Sequence, residues 1–573
     1  MPVPARLDSA FRAQAWEKLG STKFDVLVVG GGVTGSGAAL DAATRGLSVA
    51  MVEARDFASG TSSRSSKLFH GGLRYLEQLN FGLVREALHE RELMLTRIAP
   101  HLVKPVSFLY PLRHHVWERP YVGSGMTLYD LMSGFNRSVP HHRHFTRGGA
   151  LRKVPALKRS ALTGALMYYD AQADDARHTL MVARTAATYG ATVLNSAEVV
   201  KLHRAGERIV GARVRDVETG AEVDVKASVV VNCTGVWTDD IQTLAGGRGR
   251  FHVRASKGVH IVVPRDRINS ETGLILRTEK SVLFVIPWGT HWIVGTTDTD
   301  WTLHKAHPAA SRADIDYILE HVNSVLAVPL THDDIQGVYA GLRPLLSGES
   351  ESTSSLSREH AVARPQPGLI SIAGGKYTTY RVMAKDAIDA ALEDISSGAP
   401  HSVTEHIPLA GAEGYHAMVN QVDKLAGRAG VPAWRMQRLL DRYGSLTEEL
   451  LALADDDASL LEPLEGAEEY IRAEIVYAAS HEAAQHLDDV LARRTRISIE
   501  TPDRGTASAE ATARLIAPYL GWDEERITNE TQAYSDRVEA ERRSQLQEDD
   551  LAADAARVAA PDTRAVAVGR ALD

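Results

Sequence analysis

The segment Phe24-Asp-Val-Leu-Val-Val-Gly-Gly-Gly-Val-Thr-Gly-Ser36, followed by Val49-Ala-Met-Val-Glu53, leaves little freedom in how the N-terminal part of this chain folds. Phe24 to Val29 is apolar and β-branched, which predicts a buried strand. Gly30, Gly32 and Gly35 supply a G-x-G-x-x-G turn, and Val33 to Arg45 reads as a helix with Gly46 just past its end. The first glycine permits the tight turn, the second lets backbone approach a pyrophosphate, and the third lets helix pack closely on strand. Free N–H groups and the helix dipole favour an anion at that helix start. Glu53 closes a second apolar run about 20 residues after the glycines, where an acid accepts hydrogen bonds from ribose hydroxyls and repels a 2′-phosphate. Strand, turn, helix, strand and terminal acid in this order predict a dinucleotide site.

A chain of 573 residues predicts more than one domain, because single cores stop growing near about 250–300 residues. One cysteine, Cys233, excludes an intramolecular disulfide framework and a cysteine-rich metal or iron–sulfur site, and suits a reducing compartment. Met1 to Leu19 carries scattered charges and no apolar h-region, so no secretory signal is expected. No uncharged apolar run is long enough for a transmembrane helix, which leaves attachment to a membrane surface open. A net charge of −9 argues against general nucleic-acid affinity, although a local basic patch can still receive an anionic substrate.

Two further segments favour FAD over NAD. Val229-Val-Val-Asn-Cys-Thr-Gly235 is a late apolar strand ending in Thr234-Gly235, as expected of a strand returning to the nucleotide. Ala373-Gly-Gly-Lys-Tyr-Thr-Thr-Tyr380 places a glycine pair, Gly374 and Gly375, between strand and helix. Free N–H groups there suit the flavin N1/C2=O edge, which becomes negative on reduction. No second G-x-G-x-x-G unit appears, so exchange of electrons with a nicotinamide is not expected.

Five separated motifs then resemble the FAD-dependent, quinone-linked aerobic glycerol-3-phosphate dehydrogenase family. They are Ser62-Ser-Arg-Ser-Ser-Lys-Leu-Phe-His-Gly-Gly-Leu-Arg-Tyr-Leu76, Lys257-Gly-Val-His-Ile-Val-Val-Pro264, Ile286-Pro-Trp288 with Gly295-Thr-Thr-Asp298, Gly341-Leu-Arg-Pro344, and Gly374-Gly-Lys-Tyr-Thr-Thr-Tyr-Arg381. The resemblance runs in one order from about residue 22 to 400 and continues less tightly beyond. Phe69 stands where the family often has an aliphatic residue, and the tail beyond about residue 530 is longer than expected.

The resemblance implies an α/β fold: a glutathione-reductase-like FAD-binding domain with an inserted, mostly antiparallel β substrate domain, plus a C-terminal all-α domain. The expected FAD domain is discontinuous, over 22–100, 172–250 and 340–400, with 101–171 and 251–339 binding substrate. A helical domain is expected over 401–530, where Ala, Leu, Glu and Arg recur at helical spacing, and a helical or flexible tail over 531–573. The implied reaction oxidises sn-glycerol 3-phosphate to dihydroxyacetone phosphate, with electrons passing to membrane quinone. The implied setting is cytoplasmic and peripheral on the inner face of the cell membrane, with a homodimer left open.

On that resemblance Arg74, Arg343 and Arg358 grip the phosphate, since a planar guanidinium binds phosphate oxygens bidentately. His260 faces substrate, to accept the hydroxyl proton or to bind phosphate. Lys376 lies beside flavin and substrate, either steadying the alkoxide-like oxygen or acting as base, and Tyr75 and Thr378 are second contacts. Arg74, His260, Arg343 and Lys376 make up the expected catalytic group. The expected cofactor residues are Gly30, Gly32, Val33, Thr34, Gly35, Glu53, Ala54, Thr61, Ser62, Ser65, Ser66, Lys67, Leu68, Thr234, Gly235, Gly374, Gly375, Lys376, Tyr377 and Thr378.

Three alternatives share the fold: an oxidase passing electrons to oxygen, an amino-acid or hydroxy-acid oxidase, and a non-catalytic protein that binds prenylated partners. The absence of a long insertion in the substrate domain favours the dehydrogenase over the oxidase, and the arginine set suits a phosphate dianion better than one carboxylate. The intact fingerprint disfavours the non-catalytic reading. His481-Glu-Ala-Ala-Gln-His486 has the wrong spacing for a zinc helix, no metal site is expected, and Cys233 reads as a packed strand residue.

Overall fold

The computed structural model describes residues 2–72, 74–77, 79–134, 138–246, 252–278, 282–346, 360–395 and 398–564. Among these residues two large sheets meet, with a helical unit at their side. The first has eight strands, and its main path runs His360–Gln366, Leu369–Gly374, Glu222–Asn232, Lys23–Val29, Val49–Val52, Thr192–Leu194. The five from Leu369–Gly374 onward are parallel. Parallel strands of this kind are covered on both faces, so their apolar runs need no polar alternation. The helix Val33–Thr44 packs against the helices Asp175–Thr188 and Tyr380–Leu392. Its run of Gly, Ala and Ser side chains is what lets three helices and a strand approach so closely.

The ten-stranded second sheet is built around Val253–Pro264, which pairs with Gly337–Leu346 on one side and with His291–Gly295 and Thr299–Trp301 on the other. Strand alternation divides its side chains. Val259, Ile261 and Val263 pack with Ile315, Ile318 and Val322 of the helix Arg312–Asn323. Gly258 and His260 line a cavity instead. The expected antiparallel pattern holds for most of this sheet, with one parallel pair, Gly273–Arg277 on Val103–Leu112.

Two expected domain boundaries fall inside strands. Residue 340 lies within Gly337–Leu346, which is bonded to Val253–Pro264 over its whole length, so the chain rejoins the first sheet only at His360–Gln366. The boundary at 171/172 lies within Gly164–Ala173, paired with Val103–Leu112. Pairing across a sheet is non-local, so turn signals alone do not mark these edges. The helix Ser9–Ser21, capped by Asp8 accepting from the Phe11 N–H at 2.8 Å, was not expected from the sequence.

After residue 400 helices dominate, with one small hairpin, Pro463–Leu464 on Ala467–Ile471. The helical unit meets the first sheet through buried ion pairs: Arg493 and Arg494 each lie 2.6 Å from Asp56, and Arg496 pairs with Asp174 and Asp175. Such pairs add little net stability, but removing one partner strands a buried charge at a cost of about 3–5 kcal/mol. They therefore fix how the helical unit docks.

Candidate active site

A cavity of about 1510 Å³ runs from the glycine turn to the second sheet, larger than the roughly 300–1,000 Å³ of ordinary small-molecule pockets. One end is lined by Gly30, Gly32, Val33, Thr34, Glu53 and Ala54, and the middle by Thr61, Ser62, Ser65, Ser66, Leu68, Thr234 and Gly235. Gly374, Gly375, Lys376, Tyr377 and Thr378 line it too, with Tyr75 beside Lys376, and His260 and Arg343 line it from the second sheet. Residues 30 to 378 thus converge because four strand ends of the first sheet, after Val29, Val52, Asn232 and at Gly374, abut the inner face of the second.

The glycine turn is built as a close approach. A β-carbon on Gly35 would sit 1.9 Å from the Gly30 carbonyl oxygen, so Gly35 seats helix against strand and does not itself line the cavity. The Ser62 hydroxyl accepts the Val33 N–H at 2.9 Å. Glu53 accepts the N–H groups of Gly31 at 2.7 Å and Arg55 at 2.8 Å, which holds its carboxylate at the cavity wall. Burial raises the Glu53 pKa, and those two N–H groups oppose the rise. Gly374 and Gly375 both have left-handed backbone, φ 77° and 78°, which turns the chain from strand into the Tyr377–Thr379 helical turn at the opposite wall. The volume, the glycine cradle of Gly30 and Gly32, and the second glycine turn of Gly374 and Gly375 all fit FAD.

Lys67 is a correction. Its ammonium bonds Asp175 Oδ1 at 2.8 Å and the Ser63 carbonyl at 3.1 Å, away from the cavity, because a buried cation needs a partner. The Ser/Thr turn around it is largely occupied with the protein itself. Thr61 donates to the Leu342 carbonyl at 2.6 Å, and the Ser65 hydroxyl to Asp175 at 2.7 Å. Thr378 lies between the N–H and carbonyl of His70, at 3.2 and 3.3 Å, and the Tyr377 hydroxyl donates to the Asp175 carbonyl at 2.7 Å.

On the second sheet, His260 Nε2 lies 2.9 Å from the Ser66 hydroxyl, and its ring stacks on Tyr339 with centroids 4.8 Å apart. Burial, then the charges of Arg343 and Lys67, holds its pKa well below the usual histidine value, so the ring is neutral. Arg343 donates to Thr296 Oγ1 at 3.1 Å and the Thr297 carbonyl at 3.2 Å, with Asp298 3.4 Å away. Lys376 Nζ sits 3.6 Å from the centroid of the Tyr75 ring. Arg358 and the side chain of Arg74 lie outside the described residues. Sequence reasoning missed His70, Trp237, Gly258 and Arg564 in the lining, and Cys233, read as a packed strand residue, is packed in the core just past the strand end. It also touches the cavity, with burial pushing its thiol up to about 12, so it is no thiolate.

Residues 25–381 match the sequence family described as FAD dependent oxidoreductase, and residues 402–527 match the C-terminal domain of alpha-glycerophosphate oxidase. The chain is 63% identical over 561 residues to a Mycobacterium tuberculosis protein named glycerol-3-phosphate dehydrogenase 2, covering 98% of this chain and 96% of that one. It belongs to the FAD-dependent glycerol-3-phosphate dehydrogenase family. The human mitochondrial glycerol-3-phosphate dehydrogenase is 38% identical over 527 residues, spanning 88% of this chain and 71% of that one. The Bacillus halodurans glycerol-3-phosphate dehydrogenase complexed with FAD superimposes with a TM-score of 0.77 at 28% identity, covering 93% of this chain and 98% of that chain. The cofactor of this chain is therefore FAD.

Proposed function

We propose that this chain oxidises sn-glycerol 3-phosphate at C2 to dihydroxyacetone phosphate and delivers the electrons to membrane quinone. The observation that carries the reading is one cavity lined both by Arg343 and neutral His260 of the second sheet and by Lys376 directly after the Gly374-Gly375 turn of the first. When bound, FAD supplies the hydride acceptor at N5. The protein's part is to grip the phosphate, remove the C2 hydroxyl proton and orient C2. Arg343, already anchored by Thr296 and Thr297, presents a guanidinium suited to phosphate. His260, being neutral, is assigned to the hydroxyl proton or a hydrogen bond to that oxygen rather than to the phosphate charge. Lys376 steadies the oxygen as charge develops, with Tyr75 limiting its position.

Among the described residues no helix is long and apolar enough to cross a membrane. The cavity instead opens through Leu79, Phe81, Tyr121 and Leu128, next to exposed Val116, Trp117 and Leu131. Exposed Arg113, His114 and His115 border this apolar patch. We assign it to the bilayer surface, where quinone is dissolved.

The test is turnover of purified protein on sn-glycerol 3-phosphate under air, with and without a soluble quinone analogue, following dye reduction and peroxide together. Dye reduction with little peroxide is the expected result. Peroxide at a comparable rate without dye would make the protein an oxidase, and no turnover with flavin bound would sink the substrate.

A further inference from the structure

The matched families end at residue 527, yet the chain is described to residue 564, and this last stretch is not a free tail. The helix Glu524–Ser544 packs Ile527, Tyr534 and Val538 into the helical unit. The chain then crosses to the second sheet. The Gln547 carbonyl accepts the Arg312 N–H at 2.8 Å. Asp550 accepts the Ser311 hydroxyl at 3.0 Å and pairs with buried Lys257. In the helix Asp550–Val558, Asp554 meets His304 Nδ1 at 2.6 Å, and Ala553 packs with Val236, Trp301 and Leu342.

Beyond that helix the chain turns back to the first sheet. Asp562 pairs with Arg55 and lies 2.7 Å from His307 Nε2. Arg564 bonds the Ser196 hydroxyl at 2.9 Å and both oxygens of Asp489, at 2.8 and 2.6 Å. Arg564 also lines the large cavity, beside Ala54, Arg55, Glu198 and Val217. Arg55 follows Glu53 by two residues, so this is the ribose end of the glycine fingerprint.

We propose that residues 547–564 form a clasp over the adenosine end of the FAD cavity, with Arg564 as a cofactor-contacting residue and Asp562 positioning it through Arg55 and His307. The clasp ties together the three parts that wall this end: the first sheet through Arg55 and Ser196, the second through Lys257, His304 and His307, and the helical unit through Asp489. Release of FAD then requires the clasp to open first. The proposal rests on the FAD reading of the cavity and adds a retention device outside the matched family regions.

The test compares the FAD-loaded full chain with a chain ending at Glu548 and with Asp562→Asn, by the rise in flavin fluorescence on release after dilution. The clasp predicts FAD loss faster by about tenfold or more for the shortened chain and severalfold for Asp562→Asn. It also predicts that Asp562→Asn lowers the melting temperature more in the FAD-loaded protein than in the stripped one, since a purely structural contact would lower both forms alike. FAD release unchanged in Asp562→Asn overturns the proposal, even if the shortened chain does not fold. A parent chain purified without flavin overturns the reading of the cavity itself.

Discussion

Gly258 leaves Arg343 the space its guanidinium fills: a β-carbon on Gly258 would lie 2.6 Å from Arg343 Nη2 and 2.6 Å from Thr296 Oγ1. The two residues stand on paired strands, Val253–Pro264 and Gly337–Leu346, with Gly258 opposite Gly341 and Ser256 opposite Arg343. The side chain therefore folds back over its neighbour strand, where only hydrogen is tolerated.

Gly258→Ala should act as a defect of Arg343 without touching a charge. Losing a charge-assisted contact of about 1.5–3 kcal/mol corresponds to a rise in KM for sn-glycerol 3-phosphate of roughly 10- to 150-fold. Arg343→Ala should do at least as much, and bound flavin should be unchanged in both. Steady-state kinetics read this directly. A normal KM in Gly258→Ala would mean that Arg343 does not hold the phosphate.

His260 should not titrate in the working range. Burial and the charges of Arg343 and Lys67 keep its folded pKa well below 6.5, so it stays neutral as pH falls toward 5. His260→Gln should lower kcat/KM while leaving the shape of its pH profile between pH 5 and 8 unchanged. A limb near pH 6 from the second ionisation of the phosphate ester itself would persist in the variant. An acidic limb that disappears with the histidine would contradict the neutral ring.

His486 behaves in the opposite sense. It bridges Glu218, near the first sheet, and Glu530 of the terminal helices, at 3.0 and 2.8 Å. Burial and Arg564 push its pKa down, but the two carboxylates outweigh them and raise it to about 9. A pKa raised by folding contributes stability that is complete below the unfolded value near 6.5 and lost as pH rises through about 9. Thermal melts should show His486→Gln several degrees below the parent at pH 6, with the gap closing by pH 10. A gap independent of pH would leave packing, not charge, as its role.

Membrane contact is expected at the cavity mouth. Val116 and Leu131 are 83% and 67% exposed, so glutamates there should cost the fold little. Burying each apolar side chain in a bilayer surface is worth up to about 1.5–3 kcal/mol, so Val116→Glu with Leu131→Glu should weaken vesicle binding roughly tenfold or more. Flotation with anionic vesicles measures it, and dye reduction by a water-soluble quinone analogue should stay intact. Unchanged flotation would move the docking face elsewhere.

The legible part of the site was the part made by neighbours in sequence. The glycine turn with Glu53, and the Gly374-Gly375 turn, are strand–turn–helix units whose geometry follows from about 30 contiguous residues or fewer. Among the second-sheet residues, Arg343 and His260 came from family motifs and do line the cavity. Lys67 belongs to the same motif as its neighbours, yet its left-handed backbone, φ 58°, and a buried carboxylate, Asp175, turn it away. The clasp was invisible because an Ala-, Glu-, Asp- and Arg-rich stretch has the same composition whether it is docked or loose.

By itself, then, the sequence determined the dinucleotide turn, the flavin-side turn, the two-sheet plan and the family, since each rests on local backbone demands or on ordered motifs. Only the tertiary structure decided that Ser66 reaches His260, that Lys376 lies over Tyr75, and that Arg564 returns to the wall beside Ala54. Those meetings join residues 194 to hundreds of positions apart. They depend on strand register and on which of 64 lysines and arginines finds its buried partner, and that choice is made by packing and desolvation rather than by any local pattern.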